Sequence, residues 1–157
     1  MRRLSIALLS LIAALLVGCG PTRHVFPPQI SVQQLHVDAD GQWHLSVRMQ
    51  NYSYDAAVHF DHIHAQLSLN DVVAATFDFQ PNVDVAEQNA DVADVTFTPA
   101  AAATKVLATN STGRPSIAYT LTGKVLVTGQ DSSHQRSFPI DYHGWLSPVP
   151  GIANTYR

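Results

Sequence analysis

A single cysteine, Cys19, excludes an intrachain disulfide framework and any cysteine-rich zinc cluster. Cations are few as well. Nine lysines and arginines stand against twelve aspartates and glutamates, which leaves no basic footprint for nucleic acid. The sequence carries no Gly-x-Ser-x-Gly, no phosphate loop and no dinucleotide fingerprint, so hydrolase and nucleotide-dependent chemistry have no motif to rest on. One long apolar run exists, from Leu4 to Val17, broken by Ser5 and Ser10. It is shorter than the roughly 20 residues that a membrane-spanning helix needs. There is no internal repeat and no low-complexity tract.

What is present begins with that run. "MRRLSIALLSLIAALLVG" has a cationic start, an apolar middle and a small residue at its end, which are the parts of a secretory signal peptide over residues 1–18. The last four positions, Leu16, Val17, Gly18 and Cys19, resemble the lipobox of bacterial lipoproteins. That resemblance implies lipidation at Cys19, with a diacylglycerol on the thiol and a further acyl chain on the new amino group. One acyl chain holds a protein marginally, at about 0.8 kcal/mol per buried methylene, whereas two or more make a stable anchor. In that family an aspartate after the cysteine retains the protein at the inner membrane. Gly20 stands there instead, so the expected location is the outer membrane, facing the periplasm. Cleavage removes Arg2 and Arg3 and leaves seven cations against twelve acids, a net charge of −5. Anionic lipid would not attract such a domain, and the acyl chains must hold it.

Residues 19–29 include the proline-rich "GPTRHVFPPQ" and read as a lipidated N terminus and tether. From residue 30 the dominant period is two. Ile30 and Val32, then Leu35 and Val37, are apolar on either side of a phase slip at Gln33–Gln34, which predicts a bulge. Asp40–Gly41 signals a hairpin, and Trp43, Leu45, Val47 and Met49 give the returning strand one apolar face. In "VHFDHIHAQLSL" the apolar phase shifts between Phe60 and Ile63, predicting a second bulge at Asp61 or His62. Asn70–Asp71 turns the chain into a strand that ends at Pro81. An acidic loop then leads to a strand through Val92, Val95 and Phe97. "TPAAAATKVLATN" predicts a helix with Thr98 as its N-cap and Pro99 in the first helical position. Two further strands follow, with Ile117, Tyr119, Leu121, Val125 and Val127, and with Phe138, Ile140, Tyr142 and Trp145. Seven strands and one short helix predict an all-β antiparallel sandwich of immunoglobulin or fibronectin III type over residues 30–147, followed by a loose tail at 148–157.

The order of these features is similar to the LEA type 2 family, the late embryogenesis abundant group that includes the water-stress and hypersensitive-response (WHy) domain. An Asn-Pro-Asn turn of that family is answered by "VRMQNYS", with Asn51 in place and Tyr52 where proline is common. A Leu-Asn-Gly strand end is answered by "LSLND", with Asp71 for the glycine. "ADVTFTPAAAATKVL" reproduces a strand running through proline into a helix. "YTLTG" (Tyr119 to Gly123) and "FPIDYHGWL" (Phe138 to Leu146) reproduce the closing strands. The resemblance implies a sandwich without cofactor or catalytic residues, protective in desiccation or osmotic stress.

The cluster "HFDHIH" supplies the candidate metal ligands His59, His62 and His64, since histidines two apart on a strand share a face and imidazole binds zinc or copper. The competing reading is an exposed polar strand face. The reading adopted is no metal and no cofactor. Asp84, Glu87, Asp91 and Asp94 lack the alternating ligands and central glycine of a calcium loop and read as a solvated loop. Asn51-Tyr-Ser and Asn110-Ser-Thr fit the glycosylation pattern by chance. Tyr142, Trp145 and Tyr156 are either a partner surface or core. The sequence thus predicts a non-enzymatic, lipid-anchored envelope protein that is protective under water loss, with protein or lipid clients and no nucleic acid. The alternative is a recruitment or assembly module for another envelope protein or lipid.

Overall fold

The computed structural model describes residues 23–110, 116–130 and 132–157. Two antiparallel sheets enclose one core. The first has the order β6-β2-β1-β9 and the second β4-β3-β7-β8, with β5 also pairing β3. The strands are β1 Gln29–Val37, β2 Trp43–Gln50, β3 Val58–Leu69, β4 Val72–Phe79, β5 Val83–Val85, β6 Ala90–Phe97, β7 Ile117–Gly129, β8 Gln135–Leu146 and β9 Thr155–Tyr156. Among the described residues one helix, α1, spans Ala101–Asn110. The expected sandwich is therefore present. Its seven main strands are joined by two short ones, β5 and β9, that the sequence reading left in a loop and in a tail.

Alternation puts one face of each strand inside. Trp43, Leu45, Val47 and Met49 on β2 are buried against Phe60, Ile63, Ala65, Leu67 and Leu69 on β3 and against Leu121, Val125 and Val127 on β7. Both expected bulges occur. The β1–β2 register slips between Val32 and Gln34, and the β3–β7 register slips between Phe60 and His62. Each inserts one residue, Gln33 or Asp61, so that the apolar phase on both sides returns to the core. At the first bulge the Val32 N–H turns to the other sheet and donates to Tyr119 Oη at 3.1 Å. Burial pushes the Tyr119 hydroxyl up to about 12. The Tyr119 ring stacks on Tyr142 and lies over Gly144, where a Cβ would come within 2.6 Å of it. Gly123, which ends the Tyr-x-Leu-x-Gly motif, has φ +154 and would place a Cβ 2.1 Å from the His64 carbonyl oxygen.

Turn chemistry fixes the hairpins. Asn70 and Asp71 both adopt positive φ, 46 and 65, which makes a left-handed turn between β3 and β4. In the β1–β2 turn only Gly41 has positive φ.

Four local expectations are corrected. Val92 is exposed, because its partner across the ladder is Arg48 on the outer face, and the inward positions of β6 are Ala93, Val95 and Phe97. The helix starts two residues later than Thr98 and Pro99 suggested. Ala100 is its cap residue, accepting from Thr104 N–H, while its own N–H donates to Ala74 O at 2.7 Å and ties α1 to β4. Leu107 and Ala103 are the buried helix residues. Trp145 is 69% exposed, since it falls out of phase with the inward Phe138, Ile140, Tyr142 and Leu146. The tail is not loose. Thr155 and Tyr156 pair with His36 and Leu35, and Val149 N–H donates to Thr155 O, because the buried Tyr156 ring gives the segment a place in the core.

The end of the sandwich where β2 passes to β3 is organised by Asn51, which is fully buried. Its side-chain NH2 group donates to Ala56 O, Val85 O and Ala86 O at 2.9, 3.1 and 3.1 Å, and its Oδ1 accepts from Ser53 N–H at 2.8 Å. An asparagine is suited to this because it presents two N–H donors and an acceptor from one planar group. Removing the amide orphans buried backbone groups, so Asn51→Ala is expected to cost about 3 kcal/mol in urea unfolding, well beyond an average surface substitution. A cost below about 0.5 kcal/mol would show that these bonds are replaceable.

Candidate functional site

The histidine-rich face of β3 was the strongest sequence candidate, and its geometry follows from the bulge at Asp61. Phe60 and Ile63 point inward, so His59 lies on the outer face before the bulge, and His62 and His64 lie on it after. The hairpin register sets Asp78 of β4 opposite His64, and β5 brings Asp84 opposite His59. The outcome is a row of imidazole–carboxylate pairs.

His62 Nε2 and His64 Nδ1 both hydrogen-bond Asp78, one to each carboxylate oxygen, the second at 3.0 Å. His59 Nδ1 bonds Asp84 Oδ1 at 2.8 Å, and its Nε2 lies 3.9 Å from Asp61 Oδ1. Thr128 donates its hydroxyl to Asp61 Oδ2 at 2.8 Å. The structure therefore brings His62 and His64 together on one carboxylate and sends His59 to a separate pair. Among the described residues no three histidine, cysteine, aspartate or glutamate side chains converge as a metal ion requires. The same pairing recurs on the other sheet, where Asp38 sits between His36 Nε2 at 3.4 Å and His44 Nε2 at 2.6 Å. His44 Nδ1 faces Thr96 Oγ1 at 2.9 Å, and His36 Nδ1 faces Thr155 Oγ1 at 2.8 Å.

An open groove of about 330 Å³ runs beside His59, lined by Ala57, Asp84, Thr128, Gly129 and Gln130. Inside it the Thr128 hydroxyl is spent on Asp61 and both His59 nitrogens face carboxylates. A base poised on a nucleophile would need the imidazole and a hydroxyl within hydrogen-bond reach of each other. The geometry holds imidazole, carboxylate and hydroxyl groups against one another on the outer face of the sheet.

Of the two readings for the aromatics near the C terminus, partner surface or core, a shared surface is not assembled. Tyr142 packs on Tyr119, Tyr156 is buried in the first sheet, and Trp145 stands alone on β8. A different aromatic group, Phe26, Tyr52 and Tyr54, lies exposed at the Asn51 end. The sequence signal for it was Tyr52 in the place of a turn proline. Cys19 and residues 1–18, expected as a signal segment, lie outside the described residues, as do residues 111–115 and 131. Of the expected tether 19–29, residues 19–22 also lie outside the described residues. Residues 24–26 instead lie on the domain, with His24 N–H on Asp55 Oδ1 and Phe26 N–H on Ser53 Oγ.

No protein-family model matches the chain, and a search of curated proteins gives no match. Among solved structures, the chain is similar to a protein provisionally described as late embryogenesis abundant (LEA), at 16% identity over 94% of this chain and 84% of that one, with a TM-score of 0.47. It is similar to a protein from Arabidopsis thaliana at 13% identity, covering 87% of each chain, with a TM-score of 0.49. A protein from Archaeoglobus fulgidus is similar at 12% identity over 80% of this chain and all of that one, with a TM-score of 0.41.

The imidazoles beside Asp78 hold its carboxyl below the usual aspartate value of 3.8, His62 contributing most and His64 next. A depressed folded value means that the contribution to stability is present above the ordinary aspartate value and is lost as the pH falls below it. Asp78→Asn is therefore expected to lower the urea midpoint relative to the parent at pH 5, and the difference is expected to shrink at pH 3. Equal differences at the two pH values would contradict the pairing.

Proposed function

We propose that this chain is a lipid-anchored envelope protein, held by acyl chains on Cys19 at the periplasmic face of the outer membrane. Its sandwich is non-enzymatic and protects neighbouring proteins or the membrane surface during water loss. The observation that supports this most is where the LEA-like residues sit. Asn51 is the buried amide that ties one end together, Asn70–Asp71 forms the left-handed turn at the other, and Gly123 fills a place where a Cβ would strike the His64 carbonyl. These are the positions at which such a sandwich has least freedom. The polar outer face, with its carboxylates paired to imidazoles, suits a surface that meets many clients through water and hydrogen bonds.

A second reading, recruitment of one partner, draws on Trp145, which is exposed on the edge strand β8. Tryptophan is enriched at the centre of protein interfaces. Crosslinking in cells separates the two, since a diffuse set of products supports protection and one dominant product supports recruitment.

For the anchor, Cys19→Ala is expected to abolish acyl-chain labelling and to release or mislocalise the protein while leaving its thermal unfolding midpoint unchanged. Unchanged acyl labelling and location would contradict the anchor. For the protective role, a deletion strain is expected to survive drying and osmotic shock less well than its parent, and equal survival would contradict it.

A further inference from the structure

We propose that Phe26, Tyr52 and Tyr54 form an aromatic tip that rests in the headgroup region of the bilayer to which Cys19 is anchored. The proposal rests on the lipid anchor of the preceding subsection and adds an orientation to it. The three side chains are 43%, 44% and 75% exposed, which is unusual for aromatics in a chain that buries Trp43, Phe60 and Tyr119. They are also held in one place. The Phe26 ring meets Tyr54 edge-on, with centroids 5.8 Å apart at 87°. Tyr52 Oη donates to Gln29 Oε1 at 2.9 Å, and Phe26 N–H donates to Ser53 Oγ at 3.1 Å. Ser53 in turn is fixed by Asn51, so the tip is built on the most constrained loop of the domain.

Chain length supplies the occupant. Seven residues lead from Cys19 to Phe26, which span at most about 25 Å when fully extended. An aromatic group tied that closely to acyl chains meets the bilayer surface before it meets a second copy of the chain. Tyrosine suits that layer, because its ring is apolar and its hydroxyl remains wet, and aromatic side chains collect at membrane–water interfaces for this reason. With a net charge of −5 after cleavage, the domain gains no general electrostatic attraction to anionic lipid. The contact is therefore expected to be insensitive to salt and to lipid charge. Trp145 provides an internal control. It pairs with Ala118 at the far end of β8 from Gln135, about 33 Å along the strand.

The test uses the lipidated full chain purified from membranes and reconstituted in phosphatidylcholine vesicles. In it Tyr54→Trp places an indole at the exposed tip, and Trp145→Phe removes the exposed native one. On reconstitution, emission is expected to shift to shorter wavelength and to be quenched by brominated phosphatidylcholine, equally at low and high salt. In the parent chain, Trp145 is expected to remain unquenched. If the chain floats with the vesicles but the introduced indole keeps a water-exposed, unquenched spectrum, the tip proposal is overturned and the anchor stands. A shift without quenching that grows with protein density would assign the tip to a second copy and also overturn it. A chain that does not float with the vesicles overturns the anchor and the tip together.

Discussion

The buried amide of Asn51 is the constraint on which one end of the molecule depends. A loop that carries the chain from one sheet to the other must leave backbone carbonyls without ladder partners, and inside a core such groups need donors. Asn51 supplies them to Ala56, Val85 and Ala86, on either side of the crossover and at the end of β5. The last carbonyl of the short strand β5, that of Val85, ends on this amide. Its backbone joins in as well, with Asn51 N–H donating to Asn89 O at the entry to β6. A single polar side chain thus connects β2, the crossover, β5 and the approach to β6. Its substitution by an apolar residue of similar volume would leave the apolar core intact and the carbonyls unpaired.

The two bulges solve a related problem along the strands. On β1 and β3 the apolar phase changes part-way along, and one extra residue, Gln33 or Asp61, returns the apolar side to the core. At β1 the freed Val32 N–H is used to lock the sheets through Tyr119. At β3 the extra residue is Asp61, which accepts from Thr128 on the neighbouring strand. The same shift places His62 and His64 side by side over Asp78, so a packing correction on the inside determines the polar pattern on the outside.

Much of this was legible because period-two alternation is imposed by burial and is written in every strand. Both bulges, the Asn70–Asp71 turn and the inward face of β2 follow from it. The misreadings have a common cause. Val92 and Trp145 are large apolar residues on outer positions, out of phase with Val95 and Phe97 on β6 and with Phe138, Ile140 and Tyr142 on β8, and their hydrophobicity masked that phase. The tail at 148–157 and the strand β5 pair through backbone groups, which leave little trace in composition. Thr98–Pro99 carried a valid helix-start signal, yet the ladder bond from Ala100 N–H to Ala74 O kept the first turn on β4 and moved the start inward. In the histidine cluster the residues were legible and their partners were not, because the strand register decides which residues of β4 and β5, Asp78 and Asp84, lie beside them.

These constraints converge at one end of the domain. Asn51 fixes Ser53, Ser53 holds the backbone of Phe26, and the loop between them carries the exposed tyrosines, so the way the chain leaves the sandwich is set by a buried hydrogen-bond cluster. The most direct measurement of that claim is hydrogen exchange at the Asn51 side-chain NH2 group by NMR. Protection in the range of the core backbone amides of β2 and β3 is the result this account predicts. Exchange as fast as that of a solvated asparagine would contradict it.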